Sequence, residues 1–141
     1  MQKESNSEQS LNFIWKDYSR DSFKTVEELF DAEAIRFTGC DEGFRAFYEY
    51  WFFELGAEAF FCKVVFLGDR PIAVVALARS DDGVFTLQEI VVAPKERGNG
   101  YGTMILRELM TCARLIIGCE IDVAEAVIFP KNIASQRAFV K

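Results

Sequence analysis

"IVVAPKERGNGYGTMILREL", Ile90 to Leu109, is the stretch from which the rest of the sequence can be read. A β-branched run stops at Pro94. Gly98, Gly100 and Gly102 then follow within five positions, ahead of a segment with helical spacing. Glycines let a backbone approach a ligand closely, and the unpaired N–H groups of a first helical turn point at whatever binds there. The helix dipole adds roughly half a positive charge at the same place. A pyrophosphate suits such a turn. Taken alone, the glycines would equally serve a tight strand-to-helix connection.

Two nucleotide-binding patterns fit poorly. A Rossmann turn needs G-x-G-x-x-G inside a parallel βαβ unit, and here Thr103 stands where the third glycine belongs. A phosphate loop needs Gly-Lys-Ser/Thr, which does not follow. The chain upstream argues against both. "AFFCKVVFL" (59–67), "PIAVVALAR" (71–79) and "VFTLQEIVV" (84–92) are strand-like runs, separated by the turn sequences "GDRP" (68–71) and "SDDG" (80–83). They predict two consecutive hairpins, hence an antiparallel meander.

Further upstream, "LNFIWKDY" (11–18) predicts a first strand. Ser22 and Thr25 are candidate caps for a helix, and Thr25 with Glu28 has capping-box spacing; Gly39 would close that helix. Asp41 is the expected N-cap of a second helix ending at Gly56. Its stripe is Phe44, Phe47, Tyr48, Trp51, Phe52 and Leu55, and Tyr50 and Phe53 lie off it, so the helix is aromatic nearly all round. Downstream, Ile105, Leu109, Cys112, Ala113 and Ile116 make one face of a helix over 103–117, and Arg107, Thr111 and Arg114 the other. "EIDVAEAVIF" (120–129) predicts another strand, and Asn132 caps a last helix over 133–141. The order β-α-α-β-β-β-α-β-α predicts an α+β domain with a mixed, mostly antiparallel sheet flanked by helices. Residues 1–10 read as a flexible tail, and 11–141 as one domain.

Composition sets outer limits. The chain has 141 residues, a net charge of −6 and no histidine. The negative balance argues against a nucleic-acid partner. Lack of histidine excludes Ser-His and Cys-His nucleophile pairs and any His-ligated metal. Cys40, Cys62, Cys112 and Cys119 show no zinc-ligand spacing and are expected to be buried, reduced thiols. With no apolar run of membrane-spanning length and no signal-peptide pattern, the expected location is the cytoplasm.

Arg97-Gly98-Asn99-Gly100-Tyr101-Gly102 resembles the R/Q-x-x-G-x-G/A motif of the GCN5-related N-acetyltransferase (GNAT) superfamily. "IVVAP" before it, "TMILREL" after it and the meander upstream fit the same resemblance. "PKNIASQRAF" (130–139) is similar to the family's Asn-containing segment that opens the helix after the fifth strand. The resemblance implies an acyl-CoA N-acyltransferase fold, acetyl-CoA as co-substrate, and transfer of its acetyl group to a primary amine of a small molecule or peptide. It places the pantetheine arm along the backbone of Ile90, Val91 and Val92. The pyrophosphate falls on the turn and helix start of Arg97, Gly98, Asn99, Gly100, Tyr101, Gly102 and Thr103, with Asn132 on the coenzyme arm.

The sequence also departs from the family. Phe139 stands where many relatives carry an acid tyrosine, and Val127 where some carry a glutamate base. Glu89 and Glu125 remain as candidate catalytic carboxylates; the plain alternative for each is a solvated or ion-paired strand residue. Tyr101 is expected to pack over the turn rather than act as the acid. Trp51, Tyr48 and Phe52 are candidates to line an acceptor cleft or simply to fill core. Asp41, Glu42, Glu49, Asp81 and Asp82 would favour a cationic amine if they face that cleft. The family pattern continues with further strands, whereas Lys141 is the last residue here: either the sequence is a truncated piece, or the open edge of the fifth strand is covered by a second subunit, a homodimer being the simplest form. Two rivals stand beside the enzyme: a catalytically silent acyl-CoA-binding or regulatory domain on the same fold, and a protein using the turn for NAD or ATP.

Overall fold

Alternation of β-branched and aromatic residues between residues 60 and 92 builds the centre of the molecule, as a computed structural model describing residues 11–29 and 43–126 shows. Strands β2 (Phe60–Leu67), β3 (Arg70–Arg79) and β4 (Phe85–Val92) form the expected antiparallel meander. β1 (Ile14–Asp17) pairs antiparallel with β2, and β5 (Ala124–Ala126) pairs parallel with β4. Sheet order follows sequence order, β1 to β5. The one parallel pairing has a covering crossover, helices α3 (Tyr101–Thr111) and α4 (Ala113–Ile117), as a parallel connection requires. The mixed, mostly antiparallel sheet expected from the sequence is therefore present.

Each face of the sheet has its own core. On one face Phe13, Val65, Ile72, Val75, Leu77 and Phe85 pack with Ile105, Leu109 and Ile116 of α3 and α4. On the other, Cys62, Val64, Val74, Ala76 and Val91 meet Tyr18, then Val26 of α1 (Arg20–Leu29) and Phe44 of α2 (Phe44–Leu55). That second core is aromatic. Tyr18 packs edge-on against Tyr48 at 4.7 Å and against Phe44 at 5.1 Å, and Phe44 is fully buried. Truncating a ring so placed costs about 3–5 kcal/mol.

One irregularity in β4 decides which residues face which core. Glu89 pairs with Ala76 and Leu87 with Leu77, so Gln88 is an extra residue, a β-bulge. Before it, Phe85 and Leu87 face the α3–α4 core; after it, Val91 and Ala93 belong to the aromatic core and Ile90 and Val92 to the first. Glu89, opposite Ala76, thereby joins the aromatic face. Without the bulge, alternation from Leu87 would have sent it to the other side.

Local expectations need several corrections. α1 begins at Arg20, with the Ser19 N–H donating to Ser22 Oγ (2.9 Å) and Ser22 Oγ donating to the Ser19 carbonyl (3.0 Å). Thr25 and Glu28 thus lie inside the helix and form no capping box, because the start falls a turn earlier. α2 begins at Phe44 with Gly43 at its N-cap position. Its start is served from α1: the Arg45 N–H donates to the Glu27 carboxylate at 2.7 Å. The predicted helix over 103–117 is broken at Cys112 into two. The strand predicted from residue 120 is first paired at Ala124. The tail 1–10, Gly39, Cys40, Asp41, Glu42, Val127, Asn132, Phe139 and the helix expected over 133–141 lie outside the described residues. Cys62 is buried, whereas Cys112 and Cys119 are only partly so, at the broken end of the crossover.

Candidate active site

The chain leaves β4 through a single 3-10 turn, Pro94–Glu96, and reaches α3 through the glycines. Gly98 and Gly100 have φ of 83° and 78°, values that only glycine adopts without strain. Gly100 immediately precedes α3, and no side chain caps the helix. The first-turn N–H groups are therefore without the side-chain acceptor that a Ser or Asp would have supplied. A Cβ added at Gly98 or Gly100 would meet no atom within 4 Å, so these glycines are set by backbone conformation and leave the turn open. Gly102 comes closer, with Val92 Cγ2 at 4.0 Å from such a Cβ.

Neighbouring side chains brace this cradle. Asn99 Nδ2 donates to the Glu96 carbonyl (3.0 Å), and Arg97 Nε donates to the Val92 carbonyl (3.3 Å). Arg70 Nε pairs with Glu96 Oε2 at 2.9 Å, tying the turn to the start of β3 and neutralising the nearest carboxylate. Tyr101 opens α3 and packs edge-on against Phe13 at 6.2 Å. An open, uncapped helix start with its acidic neighbour paired fits a pyrophosphate.

The strand leading into the turn has a definite polarity. The Ala93 N–H donates to the Ile72 carbonyl at 2.8 Å, which makes Ala93 and Ile72 a hydrogen-bonded pair. Antiparallel pairs alternate, so Val91 and Glu89 also spend their backbone groups on β3. The N–H and C=O groups of Ile90 and Val92 point the other way, toward the side on which β5 runs. Among the described residues β5 pairs only with Phe85 to Leu87, on the far side of the bulge.

Glu89 follows the bulge directly and is half-buried. Burial pushes its carboxyl up to about 8. Glu125 is different in kind: it is exposed and sits opposite Thr86, before the bulge. The two candidate carboxylates therefore flank the bulge, Glu89 half-buried and Glu125 exposed.

Beyond Glu89 the same face runs through Ala76 to Cys62, whose carbonyl accepts the Tyr18 N–H at 2.9 Å. Tyr18 is buried, and among the described residues its hydroxyl has no hydrogen-bond partner. Burial, and next the Glu27 carboxylate, raise its phenol well above the ordinary range; burial likewise raises Tyr48. No local pattern singles out Tyr18, because its neighbours on this face come from distant strands and helices. Of the acceptor-cleft candidates, Tyr48 and Trp51 are half-buried against this core, whereas Phe52 is more exposed and Phe53 projects at 86% exposure. Among the acidic candidates, Glu49 is paired with Arg45 on α2 at 3.0 Å, and Asp82 accepts a hydrogen bond from Ser80 within the β3–β4 turn. That turn lies at the end of β4 opposite the glycines, so Asp81 and Asp82 are remote from the cradle.

No helix among the described residues is long and apolar enough to cross a membrane. The family model of the Acetyltransferase (GNAT) family matches residues 14–141. No curated protein matches the sequence. Among solved structures, the aminoglycoside acetyltransferase AAC(6')-Ib in complex with ribostamycin and coenzyme A superposes with a TM-score of 0.70 at 15% identity, over 92% of this chain and 81% of its own. A spermidine N-acetyltransferase chimera from Vibrio cholerae and hSSAT gives 0.70 at 14% identity, over 92% and 78%. An acetyltransferase from Thermus thermophilus gives 0.66 at 15% identity, over 92% and 84%. At these identities the likeness is one of fold.

Proposed function

Because this chain belongs to the GNAT family of acetyltransferases, we propose that it transfers the acetyl group of acetyl-CoA to a primary amine, with Glu89 as the general base. The observation that carries the assignment of the base is the placement of Glu89: half-buried beside the bulge, its carboxyl up to about 8, one strand residue before the backbone groups that face away from β3. A base with an acidity near the working pH takes a proton most effectively from an ammonium whose own pKa is ~10.

Each region has a separate task in this reading. The turn from Arg97 to Thr103 holds the coenzyme pyrophosphate by backbone N–H groups. Of Ile90, Val91 and Val92, the first and third have backbone groups directed away from β3, and these two take the pantetheine amides; one such N–H polarises the thioester carbonyl, as a fixed dipole aimed at developing negative charge. Acetyl-CoA supplies an activated acyl carbon with a thiolate leaving group. Glu89 removes the proton of the incoming amine, directly or through a water. The neutral amine nitrogen then forms the new C–N bond as the C–S bond breaks; the second proton it loses goes to the departing thiolate, and the first leaves Glu89 for solvent. Glu125 and Asn132 serve, in the same proposal, as a second carboxylate on the strand and a contact to the coenzyme arm. The acceptor is an amine of a small molecule or peptide, and no particular amine is assigned.

The test is thiol release from acetyl-CoA with a panel of primary amines, run on wild type and Glu89→Gln. Amine-dependent release that collapses in the variant, with coenzyme binding retained, is the expected result. Coenzyme binding without turnover on a broad panel would favour a silent acyl-CoA-binding domain instead.

A further inference from the structure

Glu108 lies in the middle of α3 and is the one charged residue among the buried polar groups described. Burying a carboxylate is costly unless hydrogen bonds take up its charge. Three do. Oε1 accepts the Asn12 N–H at 2.7 Å, and Oε2 accepts the Phe13 N–H at 3.0 Å and the Trp15 indole N–H at 2.8 Å. All three donors come from one short segment at the start of β1, more than ninety residues away in sequence.

Phe13 makes a second contact with the same helix. Its N–H goes to Glu108 while its ring meets the edge of Tyr101, the first residue of α3. Tyr101 and Glu108 are seven positions apart, hence on one side of the helix and about 10 Å from each other along its axis. The segment 12–15 therefore grips α3 twice, at the glycine turn and two turns downstream. Since no side chain caps the start of α3, this grip supplies a fixed reference for its orientation.

We propose that Glu108 is a positioning residue for the coenzyme: by clamping segment 12–15 it fixes the start of α3, where the pyrophosphate would be held. This rests on reading the glycine turn as the coenzyme site. The plain alternative is a carboxylate that adds stability and nothing else. The two differ in locality: a clamp on the turn should loosen the first-turn amides of α3 before the sheet, whereas lost stability loosens everything together.

Glu108→Gln keeps the shape but puts an amide N–H₂ where a donor needs an acceptor. Trp15→Phe removes one donor of the three and keeps the carboxylate. Amide hydrogen exchange of residues 101–105 is measured on the free protein, with calorimetric titration of acetyl-CoA, both well below the melting temperatures. Glu108→Gln should speed exchange at 101–105 ahead of the β2–β3 hairpin and weaken acetyl-CoA binding roughly tenfold, leaving the KM of the amine unchanged. Trp15→Phe should move both readouts the same way by less, and it carries the test if the first variant fails to fold. Uniform or unchanged exchange with wild-type coenzyme affinity would overturn the positioning role. Wild-type protein that binds no acetyl-CoA would remove the coenzyme reading itself, and the positioning role with it.

Discussion

The glycine turn and the Glu89 face lie at opposite sides of one bulged strand and are built by different means. The turn is made of backbone: two glycines at positive φ, an uncapped helix start, and strand groups turned away from β3. The Glu89 face is made of side chains and depends on register: one extra residue, Gln88, puts a carboxylate on the aromatic side of the sheet. Damage to the first should appear in coenzyme affinity, and damage to the second in the chemistry and its pH dependence.

The largest effect is expected at Glu89. Glu89→Gln should lower kcat/KM for the amine by roughly 10²–10⁴ with little change in coenzyme affinity, the range typical of losing a general base. In wild type the rate should rise with pH through about 8 as the carboxylate forms, and that rise should vanish in the variant. A pH profile of kcat/KM for both proteins is the measurement. An unchanged profile in the variant would take the base away from Glu89.

Next in size is Gly100→Ala. A φ of 78° strains any L side chain by about 1–2 kcal/mol, so the turn should shift and acetyl-CoA should bind about tenfold more weakly. The pH profile of the bound complex should keep its shape. If kcat fell steeply while affinity held, the division between the two regions would be wrong.

A further effect is on stability. The Glu89 carboxyl is raised from its ordinary 4.5 to about 8 in the fold, so the folded protein keeps a proton that the unfolded chain has already released. Its contribution is complete below about pH 4.5 and is lost as pH climbs to about 8. Glutamine has no such loss. Thermal melts should show Glu89→Gln melting higher than wild type at pH 9, with the gap closing near pH 4.5. Equal melting temperatures at both ends would mean that Glu89 is well hydrated.

The same contrast explains what can be read from the residues. Gly98 and Gly100 announce their backbone conformation by their identity, and Val, Ile and Phe alternation marks the meander, so the turn and the sheet are legible. Glu89 is legible as a candidate, but its face is not, because an alternation count started at Phe85 and Leu87 assigns it to the α3–α4 core. Only the pairing of Glu89 with Ala76 shows that Gln88 is the extra residue. Glu27 at the start of α2 and Glu108 under β1 are invisible for another reason: their partners lie far off in sequence, and local patterns carry no trace of them. The Thr25–Glu28 box fails because spacing alone does not determine where a helix begins.

The measurement that bears most directly on the central claim is a calorimetric titration of the wild-type protein with acetyl-CoA, alongside NAD and ATP. Micromolar binding of acetyl-CoA with no response to the other two is the predicted result, and it would establish the turn from Arg97 to Thr103 as a coenzyme A site. A folded sample that binds no acetyl-CoA, or that binds NAD or ATP as well, would contradict the account.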